Sequence, residues 1–450
     1  MSRASSILVW VFLAVVATLA LTMGITSAAA QTFVETSGVN IPTNDVFTDY
    51  VWGVAWAVIL FLSIFAWPVS WAHKKMLAAA WLVKCFTALV LMLPYEERYY
   101  GLDCWYYFRS AHADAEQILE SLLRGGADVI VAIAALQLKV GPDSYHAMKL
   151  TFAMIGLVGV FLFYRAAEQL LGKYAPVAFW ILLLYPSILF WSSIFGKDPP
   201  VLAAIGLHVW GLANLAAHRK PKYLLAVVGG ILAVSTIRIW MGPILILPCL
   251  LLIVSRIKSM GWRLVSLATI ALALTTLGSA TMDRLSLNNA SDLVEATRAV
   301  TDGWDNANSS LQRNVELNSS LDLLLFAPQG LFDTFFRPLP GDVDNVFGWM
   351  AGFENTGLLL LSMWAAFRFR PVYLRNPVFF WSIALLLTWG LAYSIITHKD
   401  LGTAVRFKLQ ILPILLGTVG YLLHHARTAP LRSLSRQAKP APYNATRTPA

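Results

Sequence analysis

Charged residues are scarce in this chain of 450 residues. They make up 13% of it, against 58% hydrophobic residues, whereas an ordinary soluble domain carries about 25% charged residues. The apolar stretches also lack the alternation of apolar and polar residues that a membrane β-barrel requires. These two deficits exclude an ordinary soluble domain and a barrel, and they favour a helical membrane protein.

Cysteine and the common catalytic motifs are equally sparse. Of three cysteines, Cys85 and Cys249 lie inside apolar runs and Cys104 lies just outside one, so we predict neither a disulfide nor a zinc site. The sequence contains no G-x-x-x-x-G-K-[ST], no H-E-x-x-H and no G-x-S-x-G. No cofactor is therefore predicted, and nothing in the sequence supports a divalent metal ion.

What the chain does contain is a series of apolar runs near the roughly 20 residues that cross a bilayer. They predict an all-α, polytopic integral membrane protein of about twelve spans, with a multi-span domain over residues 50–424. The runs cover residues 7–27, 50–71, 76–94, 149–165, 175–195, 199–217, 222–237, 242–255, 264–281, 355–367, 377–396 and 409–424.

The first 30 residues have two readings. Arg3, the apolar stretch 7–23 and the alanines at 28–30 resemble a secretory signal with its cleavage site. Cleavage would leave about eleven spans, whereas retention makes this segment the first span with a cytoplasmic N-terminus. Either way, residue 31 is expected outside the cytoplasm.

The charge distribution predicts the orientation. Basic clusters recur in alternate loops at 73–75, 219–222, 256–263 and 368–375, and these loops are expected to be cytoplasmic, together with a disordered basic tail over 428–450. Such clusters explain the net charge of +9 without nucleic acid. Threading the spans this way leaves only Glu168 of the 25 acidic residues inside. Two large extracytoplasmic loops then cover about 95–148 and 282–354.

In the first of these loops, residues 113–123 fit an amphipathic surface helix. In the second, the apolar stretch 321–336 is expected to dock back onto the membrane domain. Asp103, within a run of aromatic residues, is a candidate catalytic base, or alternatively a solvated residue of an interfacial aromatic belt.

Several cations and acids near the predicted outer surface are candidate substrate-binding residues. Lys197-Asp198 suits phosphate binding, or else a helix cap with a snorkelling lysine. Arg406 is the leading pyrophosphate-binding candidate, with an ion pair to Asp400 or lipid headgroups as the alternative. Lys84 is interpreted as the structural partner of a carboxylate. The remaining candidates for substrate binding are Arg238, Arg337, Glu354, His398 and Lys399.

Three motifs carry a family resemblance: FWSSIFGKD over 190–198, RPLPGD over 337–342 with Glu354-Asn355, and LGTAVRFKLQILP over 401–413. They resemble the Wzy-type bacterial polysaccharide polymerases and the wider GT-C membrane glycosyltransferases. The resemblance implies a multi-span enzyme of the bacterial inner membrane that takes polyprenyl-(pyro)phosphate-linked sugars on the outer face. It makes Asp103 the early-loop acid and Arg238, Arg337 and Arg406 the lipid-phosphate ligands.

The expected partners are therefore a polyprenyl-linked sugar donor, a glycan acceptor, membrane lipid and other polysaccharide-assembly proteins. A transporter or flippase for a lipid-linked or anionic solute is the alternative from another class, because cations could equally line a translocation path. Internal repeats, which are typical of transporters, are not visible in the sequence.

Overall fold

The computed structural model describes residues 28–98, 103–113, 116–171, 175–284, 320–397 and 401–437. Regular structure in these ranges is helical throughout. The first half contains α1 Ala28–Ser37, α2 Val46–Ser63, α3 Trp71–Phe86, α4 Leu93–Arg98, α5 Asp103–Ala113, α6 Ile118–Arg124, α7 Asp128–Val140, α8 Tyr145–Leu171, α9 Pro176–Leu184 and α10 Pro186–Trp191. The second half contains α11 Asp198–His218, α12 Lys222–Ile237, α13 Met241–Arg256, α14 Met260–Arg284, α15 Ser320–Phe336, α16 Val346–Ala366, α17 Pro377–Ile396, α18 Leu401–Lys408 and α19 Leu412–Gln437.

Capping residues explain several helix boundaries. The Asp45 side chain accepts a hydrogen bond from the Thr48 backbone N–H at 3.0 Å and so caps α2. Asn376 caps α17 in the same way, with Pro377 at the first helical position. Arg219 ends α11 in the left-handed conformation, at φ +54°.

Five helices in the described part of the chain are long and apolar enough to cross a membrane. A sixth results if α18 and the described part of α19, which meet at 63°, form one broken span. Shorter apolar helices are α12, α13 and residues 260–272 of α14. The all-helical prediction is confirmed and the chain is a membrane-embedded protein. The predicted run 7–27 lies outside the described residues.

The centre of the bundle is built on close contact between helices at small residues. A methyl group on Gly206 of α11 would lie 2.9 Å from the carbonyl oxygen of Gly159 in α8. Glycine at these positions lets the two backbones touch, which is how membrane helices gain packing energy without a hydrophobic driving force. His208 also faces a neighbouring helix, with Nδ1 3.0 Å from the Val227 carbonyl, as hydrogen bonding between helices requires.

The predicted apolar run 175–195 is not one helix. Pro186 separates α9 from α10, because proline lacks a backbone donor and disfavours helical geometry at Tyr185, whose ψ is 121°. After Trp191 the chain is non-helical through residue 197, and residues 192–196 are buried. This buried, non-helical segment delivers Lys197 and Asp198 to the start of α11.

The amphipathic helix predicted over 113–123 is present only from Ile118 onward. α5 ends at Ala113 and α6 begins only at Ile118, after a non-helical Gln117. Gly125 and Gly126 then turn the chain at φ +78° and +68°, and the Gly126 N–H donates to the Thr236 carbonyl at 2.7 Å. This turn ties the region predicted as the first outer loop to the end of α12.

The apolar part of the predicted second loop forms α15. α15 packs on α17, where a methyl group at Gly390 would lie 2.6 Å from Phe335 and 2.7 Å from Leu331. α19 continues to Gln437, into the segment 428–450 that is predicted as a basic tail, and residues 438–450 lie outside the described residues.

Segments predicted as cytoplasmic meet at one end of the bundle. The Arg256 guanidinium donates to the Arg375 carbonyl at 3.2 Å, which joins two of the basic loops. Glu168 pairs with Arg165 at 2.8 Å and lies 3.4 Å from His73. Basic residues thus surround the one acid assigned to this side.

Candidate functional site

The candidate site is built around the carboxylate of Asp198. This residue opens α11 ahead of two prolines, where a negative charge complements the helix dipole, and it is only 2% exposed. Its Oδ1 accepts from Arg238 Nη2 at 2.9 Å and its Oδ2 accepts from Arg406 Nε at 2.5 Å. One buried carboxylate therefore fixes two arginines from separate segments.

Arg406 continues the chain of charges toward the surface. Its Nη1 lies 3.2 Å from Asp103 Oδ2, and its guanidinium lies 5.8 Å from the centre of the Trp191 ring. The Arg406 side chain is 24% exposed and that of Asp103 is 58% exposed. The site therefore opens at the Arg406–Asp103 pair and is closed at Asp198.

Arg238 forms the inner part of the site. It lies between α12 and α13, it is 4% exposed, and its guanidinium stacks 4.1 Å from the centre of the Phe407 ring. Its Nε and Nη1 make no hydrogen bond to any described residue. Buried donors left unpaired are costly, so this arginine holds positive charge that Asp198 only partly compensates.

Lys197 adds a further cation. Burial lowers the pKa of its ammonium group, and the nearby charge of Arg238 lowers it further. We call Asp103, Lys197, Asp198, Arg238 and Arg406 the basic cluster. Its three cations outnumber its two carboxylates, so it is suited to an anion.

The segment that carries Lys197 is held in place by a buried lysine. Lys84 Nζ donates to the Ser192 carbonyl at 2.5 Å, to Ser192 Oγ at 2.6 Å and to Ser193 Oγ at 3.1 Å. Gly156 of α8 leaves room for this carbonyl, since a side chain there would collide with it. The predicted carboxylate partner of Lys84 was wrong, because three oxygens of the FWSS motif take its place.

A second polar group lies beside the basic cluster and contains the other described candidates. Arg337 donates to both oxygens of Asp342 at 2.7 Å, and these hydrogen bonds raise the pKa of Arg337. The guanidinium group of Arg337 is thus already hydrogen-bonded within its own turn. Glu354 accepts from the Ser187 backbone N–H at 3.1 Å.

Lys408 links this second group to α18. It is 2% exposed, and its Nζ donates to Asn355 Oδ1 at 2.7 Å and to the Arg337 carbonyl at 3.3 Å. Arg406 and Lys408 lie on the same short helix, one in each group. The structure therefore brings Asp103, Lys197, Asp198, Arg238 and Arg406 together and places Arg337 and Glu354 in the neighbouring group. His398 and Lys399 lie outside the described residues.

Sequence reasoning missed several residues at the site. Trp191 and Phe407 flank the arginines and lie inside two of the motifs quoted from the sequence, FWSSIFGKD and LGTAVRFKLQILP. Tyr107 is buried one turn after Asp103, and this burial raises the pKa of its hydroxyl. A search for aromatic residues within these charged motifs would have found Trp191 and Phe407.

Two buried pairs of ionisable residues outside the candidate site could not be predicted from any local sequence pattern. Glu96 accepts from Lys149 Nζ at 2.7 Å, and the Tyr145 hydroxyl donates to the same carboxylate at 3.0 Å. The Asp49 carboxylate contacts the His146 ring. Each pair joins residues far apart in the sequence, so only the fold brings them together.

The chemistry available at the site is that of guanidinium, ammonium and carboxylate groups. Among the described residues, no three His, Cys, Asp or Glu side chains lie close enough together to hold a metal ion. Comparisons with protein-family models, with curated proteins and with solved structures find no match to this chain. Fold and site thus define a helical membrane protein with a basic cluster that is buried at Asp198 and Arg238 and open at Arg406 and Asp103.

Proposed function

We propose that the protein is a membrane glycosyltransferase or polysaccharide polymerase that uses polyprenyl-(pyro)phosphate-linked sugars at the extracytoplasmic face. The basic cluster carries this proposal. Guanidinium groups offer forked donors that match phosphate oxygens, and an excess of cations stabilises the charge that develops on a leaving pyrophosphate. The resemblance to Wzy-type polymerases and GT-C enzymes in the same segments supports it.

In the proposed reaction, an acceptor hydroxyl displaces the polyprenyl pyrophosphate at the anomeric carbon of the donor sugar. Arg406 and Lys197 hold the leaving phosphate, and Arg238 adds positive charge behind them. Asp103 orients the acceptor hydroxyl from the open side of the cluster. An inner cavity between the spans receives the polyprenyl tail.

The proposed topology has about twelve spans, or about eleven if the N-terminal segment is cleaved, in a bacterial inner membrane with the C-terminus in the cytoplasm. Four segments that the charge distribution assigns to the outer side supply the basic cluster: those around residues 103, 197–198, 238 and 406. Basic loops assigned to the inner side meet elsewhere, at Arg256 and Arg375. The two groupings support this orientation.

A transporter or flippase for a lipid-linked or anionic solute is the second candidate. It is favoured by the buried pairs Glu96–Lys149 and Asp49–His146, because ionisable groups within membrane helices often mark a transport path. Each of these groups is paired, however, and the surplus positive charge is concentrated in the basic cluster. We therefore rank the transferase first.

The test compares lipid-linked glycans and surface polymer in cells that lack the gene and carry wild type, Arg406→Ala or Arg124→Ala. Arg124 is the matched control, since it is an exposed arginine of α6 that pairs with Asp128 at 3.4 Å. If the protein is a transferase, lipid-linked glycans accumulate outside the membrane in cells that lack the gene. Wild type and Arg124→Ala then clear these glycans, whereas Arg406→Ala does not. Unchanged glycans would refute it, and intermediates trapped on the cytoplasmic side would favour the flippase.

A further inference from the structure

Glu354 has an environment that differs from that of the other carboxylates near the site. The two oxygens of Asp198 form ion pairs with Arg238 and Arg406, and Asp103 Oδ2 forms an ion pair with Arg406. Among the described residues, no cation lies within ion-pairing distance of Glu354. Its carboxylate accepts from the Ser187 backbone N–H at 3.1 Å, and the side chains of Ser187 and Tyr185 and the charge of Lys408 also act on it.

The nearest cationic side chain is directed elsewhere. Lys408 donates to Asn355 and to the Arg337 carbonyl, while Arg337 is held by Asp342. Glu354 is therefore held by residues 185–187 rather than by an arginine, and its two oxygens retain acceptor capacity. A carboxylate fixed in this way can take a proton from a hydroxyl group placed next to it.

Glu354 also lies close to the basic cluster. The short helix α10 contacts Glu354 through Ser187 and Arg406 through Trp191, and these two residues are four positions apart, or about 6 Å along a helix. The helix α18 makes the same connection from the other side, with Arg406 in one group and Lys408 in the other.

An open groove of about 500 Å³ runs along the first turns of α16, and its lining ends at Phe353, the residue before Glu354. Trp349 and Phe353 supply aromatic faces 5.9 Å apart, and Asp344 and Asn345 supply polar atoms at one end. Met350, which also lines it, lies one helical turn before Glu354. Aromatic faces with a few polar groups suit a sugar chain better than a phosphate.

We propose that Glu354 is the general base for the acceptor and that the acceptor glycan approaches along this groove of α16. The inference rests on the proposed transferase function. As the acceptor oxygen bonds to the anomeric carbon, its proton passes to the Glu354 carboxylate. The bond from that carbon to the phosphate oxygen breaks, and its electron pair leaves with the pyrophosphate held by Arg406 and Lys197. Water then removes the proton from Glu354.

The experiment uses membrane vesicles from the deletion strain, which carry the lipid-linked glycan that accumulates there. Full-length variants are added, and glycan consumption is followed across pH. Glu354→Gln keeps an oxygen for the Ser187 N–H but removes the base, so turnover falls by about 100-fold or more. Binding of inorganic pyrophosphate stays within about twofold of wild type, because the basic cluster is intact. Glu120→Gln, an exposed carboxylate change on α6, keeps wild-type turnover.

The variant Glu354→Asp separates a base from a structural residue. It keeps a carboxylate one methylene shorter, so turnover lies between those of wild type and Glu354→Gln and keeps its decline at acidic pH. If Glu354→Gln retains more than about a tenth of turnover, the inference is wrong. If Glu354→Gln does not accumulate in membranes, Glu354→Asp decides the question alone. Turnover equal to that of wild type would then overturn the inference. Turnover that is reduced and declines at acidic pH would uphold it. The other failure is distinguishable, since a wild-type protein that consumes no lipid-linked glycan would refute the transferase itself.

Discussion

Replacing Asp198 by alanine is the sharpest test of how the site is assembled. The carboxylate is 2% exposed and pairs with Arg238 and Arg406, of which Arg238 is almost fully buried. Removing one partner of a buried ion pair costs about 3–5 kcal/mol, because a buried charge remains uncompensated. Arg406 is partly exposed and recovers solvation, so most of the loss comes from Arg238. We therefore expect Asp198→Ala to destabilise the protein by about 3–5 kcal/mol.

The assay is unfolding of the purified full-length protein in mixed micelles, followed by tryptophan fluorescence. The double variant Asp198→Ala/Arg238→Met removes the orphaned cation, so we expect a coupling energy of about 1–3 kcal/mol between the two changes. Arg124→Ala, which breaks only exposed pairs, changes stability by less than about 1 kcal/mol. A loss below about 1 kcal/mol for Asp198→Ala, or strict additivity in the double variant, would refute the reasoning.

Three further predictions concern residues around the basic cluster. Arg337→Ala removes the hydrogen bonds to Asp342, so it should lower thermal stability but leave pyrophosphate affinity within about twofold of wild type. A loss of pyrophosphate affinity as large as that of Arg406→Ala would contradict this. Lys84→Met releases the Ser192 carbonyl and should both destabilise the fold and weaken pyrophosphate binding, measured by calorimetry, whereas an effect on neither disproves its positioning role. Burial lowers the pKa of Lys197, so its charge and part of the pyrophosphate affinity should disappear as pH rises through that lowered pKa. Lys197→Arg should abolish this pH dependence, because arginine stays protonated. A pH profile of Lys197→Arg identical to that of wild type would contradict this.

The helical class and the grouping of five candidate residues in one cluster followed from the sequence, because both depend on local patterns. Continuous apolar runs predict membrane helices, and cations in segments assigned to one face are expected to share that face. Asp103, Lys197, Asp198, Arg238 and Arg406 were all identified in this way, and the structure brings them together. The sequence did not show which charged side chain pairs with which.

Features that depend on contacts between distant segments were missed for a physical reason. Lys84 was expected to meet a carboxylate, but the broken helix before Lys197 exposes a carbonyl and two hydroxyl groups that serve the same purpose. Arg337 resembled the other arginines in the sequence, yet Asp342 engages its fork within the turn. Composition shows which charges need partners, and only the packing determines which partner each receives.

The most direct measurement of the central claim is the affinity of purified protein, in lipid nanodiscs, for polyprenyl pyrophosphate, compared between wild type, Arg406→Ala and Arg124→Ala. Hydrogen bonds to charged groups contribute about 1.5–3 kcal/mol, so we expect Arg406→Ala to weaken binding by about 10- to 150-fold. Arg124→Ala should bind as wild type does. Equal affinities in all three proteins would contradict the assignment of the basic cluster as the site for a lipid-linked phosphate.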